Sequence, residues 1–185
     1  TMFKADLLQS SNGKSDFMPI IFHEPITIGY AVCSEYDIQT FGVLDKGDDG
    51  IRKLWDAVNK GNRIITWGGR NFDMPVLELA AIKLGVPAPD YYNSKFGARY
   101  RFSEDGHYDV YEKITNFGAT YFRGGLNAIS KMIGLPGKTG NVRGNQVQQA
   151  YEDGRQEDID RYCLGDVLIT YLVWVHLEYI RGRIT

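Results

Sequence analysis

Residues 66–80 read TWGGRNFDMPVLELA, and this stretch decides the fold class. It continues RIIT, so residues 63–67 form a short apolar, β-branched run that reads as a buried strand. Gly68 and Gly69 break the run and permit a sharp reversal. From Phe72 to Leu84 the pattern is helical, with Pro75 early, where a first turn tolerates proline. Strand, tight turn and helix make an α/β unit. Asp73 then falls where a strand's carboxyl end meets a helix N-terminus, the edge of an α/β sheet at which ligands bind. The alternative is an ordinary first-turn acid favoured by the helix dipole.

Working outward, PITIGYAVC (25–33) and DIQTFGVL (37–44) read as a hairpin joined at SEY. Ile51, Leu54, Trp55 and Val58 recur at helical spacing in IRKLWDAVNKGN. Residues 86–106 read as mostly loop and 108–117 as a helix. Further helices are expected over 126–133, 146–153 and 159–181. Strands first and helices last predict an α/β domain with a mixed sheet flanked by helices and a helical C-terminal half. Three strands are legible, few for so long a chain.

The 185 residues are 43% hydrophobic and 24% charged, the proportions of one globular domain spanning 1–185. Twelve Tyr, nine Phe and three Trp argue against disorder. The net charge of −2 excludes a chain that is polycationic throughout. Residues 95–143 nevertheless hold eight Lys or Arg against four Asp or Glu. Ordinary surface charge accounts for that local excess on its own. Two cysteines, Cys33 and Cys163, supply neither a disulfide framework nor a CxxC pair. No signal peptide is legible and no run reaches the 18 or so apolar residues of a membrane span. The expectation is therefore a cytoplasmic protein with no membrane partner.

Two motifs remain. GLPGKT (134–139) resembles the tail of a phosphate-binding loop, but Met132 stands where its first glycine belongs and it follows a helix rather than a strand. A helix stop at Gly134 accounts for it. In YCLGD, Tyr162 and Asp166 are four apart, so a helix sets a phenol and a carboxylate on one face. A surface hydrogen bond would explain that pair on its own.

Taken together, the strand–turn–NFD of 66–73 and the late Y-x-x-x-D resemble the second and third sequence blocks of the DEDD superfamily of 3′–5′ exonucleases, tyrosine subtype. The chain looks most like stand-alone exonucleases similar to the proofreading domain of family-B DNA polymerases. FMPIIFHEPITIGYAV, HYDVYEKITNFGA, LNAISKMIGLPGK and AYEDGRQEDIDRYCLGDVLITYLVW fit the same family in order. The resemblance implies a ribonuclease H-like fold and metal-dependent hydrolysis of nucleic acid, single-stranded DNA rather than RNA. It implies two Mg²⁺ or Mn²⁺ ions, with Asp166 a direct ligand and Asp73 holding the second ion largely through water. Tyr162 would orient the attacking water. Asn71, Phe72 and Asp109 would lie on the substrate side, and Arg99, Arg101, Lys138 and Arg143 would contact phosphates, with Tyr or Phe stacking on bases.

Two departures qualify it. Gly68 stands where the family's second block carries asparagine, with Asn71 three residues on. The first block, Asp-x-Glu on the first strand, is not found before Phe17, where only Asp6 occurs in FKAD. DIQT (37–40) resembles the usual DIET, but its flanking segments place it on the third strand. The first catalytic strand is thus expected upstream of Thr1, in a chain truncated at its start. The alternative is an inactive relative that binds nucleic acid or a protein.

Overall fold

The computed structural model describes residues 18–93, 98–137 and 142–185, apart from the side chain of Asn145. The hairpin forms as expected, β1 (Gly29–Ser34) pairing antiparallel with β2 (Asp37–Val43). A bulge falls between Val32 and Cys33. Helix α1 (Asp48–Val58) buries Ile51, Trp55 and Val58. Strand β3 (Ile64–Thr66) follows, half-buried rather than buried. Helix α2 (Asp73–Leu84) then lays Met74 and Ala81 against α1. Trp55 is fully enclosed in this first core cluster and its indole N–H donates to the Leu77 carbonyl at 3.3 Å.

Among the described residues, 86–106 are mostly loop, as expected, with one short helix, α3 (Pro89–Asn93), that buries Tyr91. Residues 107–109 are not helical: His107–Asp109 is a fourth strand, β4, running parallel to β3 with Thr66 opposite Asp109. All three of its residues are buried, so it shows no alternation by which a sequence would announce a strand. Helix α4 (Val110–Ile114) starts directly behind it. Nor do the strands make one continuous sheet. Among the described residues they form two separate pairs, β1–β2 and β3–β4.

The C-terminal half is helical: α5 (Gly125–Met132), α6 (Val147–Glu152) and α7 (Gln156–Ile180). GLPGKT begins at the end of α5, where the Gly134 and Leu135 N–H groups return to the Lys131 and Ser130 carbonyls. That geometry is a helix stop. Helix α7 is the spine of the molecule, touching β1, β2, β3, α4, α5 and α6. It is long and apolar enough, by length and composition alone, to cross a membrane. Here Ile169, Val173 and Trp174 pack with Tyr108, Val110, Leu126 and Ile129 into a second core cluster. A third, smaller cluster joins Ile159 to Val142 and Ala150, with the Tyr162 ring against it.

Helix α7 meets β1 closely. The Gly29 backbone N–H bonds the Cys163 thiol, and a Cβ on Gly29 would stand 2.9 Å from the Cys163 sulfur. Its far end is held by charge. Glu178 is fully buried and accepts from Tyr108 Oη at 3.1 Å, Arg181 at 3.1 Å and Arg183 at 3.2 Å. Glu104 takes the other arms of the same two arginines at 2.7 and 2.8 Å. Burial works to raise the Glu104 carboxyl, but hydrogen bonds from Arg183 and Arg181 and the charges of Arg181 and Lys113 outweigh it and hold it at about 2.

Two outcomes follow for stability. Glu178→Ala leaves Tyr108 and two arginines facing a buried vacancy and should cost about 3 kcal/mol in urea unfolding. Glu104 has a folded pKa below the ordinary carboxyl value of 4.5, so the stability it adds is full above that value. It is lost as pH falls from about 4.5 toward 2. Glu104→Gln should therefore be less stable than wild type at neutral pH, and the gap should close over that acid window.

Candidate active site

The site is built where β3 and β4 end side by side. After Thr66 the chain passes Trp67 and turns at Gly68, whose φ of 66° is left-handed and disfavours a side chain. A single 3₁₀ turn, Gly69–Asn71, leads to Asp73 at the first position of α2. This turn is held from the neighbouring strand. Asp109 Oδ1 accepts the Gly68 N–H at 2.8 Å and Oδ2 accepts the Arg70 N–H at 3.0 Å. The same carboxylate caps α4 through the Tyr111 and Glu112 N–H groups, at 3.1 and 3.4 Å. Asp109 is buried and four backbone donors occupy it, a different duty from the substrate contact expected of it.

Asp166 enters from α7. Asp73 feels it: desolvation by the surrounding protein, then the negative charges of Asp109 and Asp166, push the Asp73 carboxyl up to about 6. Yet Asp73 keeps a solvent-accessible face, so hydration tempers the desolvation part. The crowding of negative charge is the part that a cation would reverse. The Cys163 thiol lies in the same field, raised by burial and by the charges of Asp166, Asp73 and Asp160. Helical spacing makes Cys163 a neighbour of Asp166, three residues on, but nothing in the sequence marked it as a neighbour of Asp73.

Tyr162 sits one turn before Asp166 on α7. Its hydroxyl is 3.4 Å from where a Cβ on Gly144 would stand, so the phenol reaches the loop that carries Arg143. Arg143 itself is exposed. Asn71 is exposed at the end of the 3₁₀ turn, and Phe72 packs edge-on against His23 at 4.9 Å. Arg99 and Arg101 are not free cations: they pair with Glu78 at 3.1 Å and Glu112 at 2.7 Å. Lys138 lies outside the described residues.

The structure thus brings Asp73 within electrostatic reach of Asp109 and Asp166, with Tyr162 one turn before Asp166 on α7. Arg70, which sequence reasoning passed over, ties the edge together. Its guanidinium donates to the carbonyls of Arg99 at 3.2 Å, Tyr100 at 3.4 Å and His107, and pairs with Glu112 at 3.3 Å. Chemically, Asp73 and Asp166 offer hard oxygens of the kind that hold Mg²⁺ or Mn²⁺. Among the described residues no three of His, Cys, Asp and Glu converge to enclose a metal ion. Two carboxylates are nonetheless a common protein share for Mg²⁺, whose other positions go to water and substrate phosphate.

Comparison with curated proteins found no match. A family model described as a predicted 3′–5′ exonuclease related to the exonuclease domain of PolB matches residues 15–185, nearly the whole chain, and the chain belongs to that family.

Proposed function

We propose that the protein is a metal-dependent 3′–5′ exonuclease of the tyrosine subtype acting on single-stranded DNA. We further propose that its two strand pairs belong to a ribonuclease H-like sheet. The observation that carries this reading is the approach of Asp73 and Asp166 at the carboxyl edge of β3, with Tyr162 one helical turn from Asp166. Family membership supports a nucleic acid substrate and a phosphodiester bond as the target.

Bound Mg²⁺ or Mn²⁺ would neutralise charge at the scissile phosphate and acidify a water. Asp73 and Asp166 would hold the ions, Asp166 directly and Asp73 largely through water. The Tyr162 hydroxyl would orient the attacking water by a hydrogen bond; an ordinary phenol, with a pKa near 10, is better suited to positioning than to removing a proton at neutral pH. Arg143, next to the Gly144 that this hydroxyl approaches, would meet a phosphate. The Asp109 clamp keeps Asp73 in register, because it fixes the turn from which α2 springs.

The test is single-turnover cleavage of a labelled single-stranded oligonucleotide by the full-length protein, beside Mn²⁺ titration by calorimetry. Tyr162→Phe should keep its fold and Mn²⁺ affinity while cleavage slows by roughly 10²-fold. Asp166→Asn should lose both cleavage and Mn²⁺ binding. Wild-type cleavage by Tyr162→Phe, or Mn²⁺ binding indifferent to both Asp73→Asn and Asp166→Asn, would overturn the assignment.

A further inference from the structure

Next to the strand edge lies a surface that the proposed hydrolysis does not use. Tyr100 is 56% exposed and Phe102 54%, although both are large aromatic residues. Their rings meet edge to face at 5.7 Å, and Phe102 stands on Phe117 at 4.6 Å. Isolated exposed aromatics are ordinary, whereas a contiguous, supported group marks an interaction site. The support is strained. Asn116 and Phe117 both take left-handed backbone angles, φ 49° and 57°, at a cost of about 1 kcal/mol each. Arg101 holds that turn, donating to the Phe117 carbonyl at 2.9 Å.

The charges around the rings face outward. Arg101 is 49% exposed and its partner Glu112 only 5%; Arg99 is 55% exposed and its partner Glu78 only 11%. Each carboxylate sits beneath the surface and aims a guanidinium, whose remaining N–H groups are open to water. Glu112 serves two guanidiniums, those of Arg70 and Arg101, and Lys113 pairs with Glu104 at 3.5 Å. Lys113 lies over the Phe117 ring at 4.7 Å. Asp105 is an exposed acid in the same loop. Arg70 bonds the carbonyls of Arg99 and Tyr100, so the surface is fixed to the turn that opens α2 at Asp73.

We infer that Tyr100 and Phe102, backed by Phe117, are a stacking platform for unpaired bases of a single-stranded nucleic acid, its phosphates following Arg99 and Arg101. The identity of the strand rests on the nuclease reading; the platform rests on the rings and their charges. Aromatic faces beside cations bind single strands whatever their sequence, because every base has a π face and every nucleotide a phosphate.

The experiment measures binding, with no cleavage needed. Full-length protein in a metal chelator is titrated, by fluorescence anisotropy, against a labelled oligothymidylate and against an abasic strand of equal length. Tyr100→Ala with Phe102→Ala should weaken oligothymidylate binding at least about tenfold. It should leave the abasic strand within twofold and the salt dependence unchanged. Tyr100→Phe with Phe102→Tyr should bind as wild type. A thermal melt of each variant separates loss of rings from loss of fold. Equal losses on both strands, or no loss on either, would overturn the platform. Failure of the wild type to bind either strand would overturn it too, leaving the rings as a docking face for a protein. Base-dependent binding by a protein that never cleaves would keep the platform and sink the nuclease reading. Cleavage with base-independent binding would do the reverse.

Discussion

The carboxylate of Asp109 is the constraint on which the site depends. It closes β4, caps α4 and grips the turn after β3, all through backbone N–H groups. A buried carboxylate needs several donors to offset its desolvation, and a strand end beside a glycine turn supplies them. Each donor gained is also a segment fixed in place. The turn, once fixed, sets where Asp73 begins its helix. Arg70 extends the same tie by giving its backbone to Asp109 and its side chain to the 99–107 loop.

Around this clamp the protein concentrates negative charge. Asp109 and Asp166 lift the Asp73 carboxyl, and Asp166 and Asp73 act together on the Cys163 thiol. Elsewhere the chain treats carboxylates otherwise: Glu78, Glu104, Glu112 and Glu178 are all met by arginine. Asp109 braces the fold differently, through backbone N–H groups rather than a cation.

How much of this was legible in the sequence depended on range. The break at Gly68–Gly69, Pro75 in the first turn of α2 and the period of Ile51, Trp55 and Val58 are local signals, and the elements follow them. Strand β4 was hidden because three buried residues have no period, and its continuity with α4 made 108–117 read as one helix. Asp109 consequently fell within the expected helix, when it is the last residue of a strand. Arg70 left no trace, since its partners are carbonyls some thirty or more residues away, which any residue type could supply. The division of the strands into two pairs is likewise a long-range outcome, whereas Tyr162 and Asp166 share a helix and needed only its pitch.

Helix α7 carries the site at one end and the Glu178 network at the other, sixteen residues or about 24 Å apart. A helix turns about 100° per residue, so its two ends have a fixed angle between them. Losing or gaining one residue between Tyr162 and Glu178 would swing one end by that angle relative to the other. Either the phenol and carboxylate would leave the strand edge, or Glu178 would leave its arginines. Exposed side chains along this stretch, such as Leu168, can be exchanged one at a time; its length cannot drift. The geometry constrains the segment's residue count more strictly than its sequence.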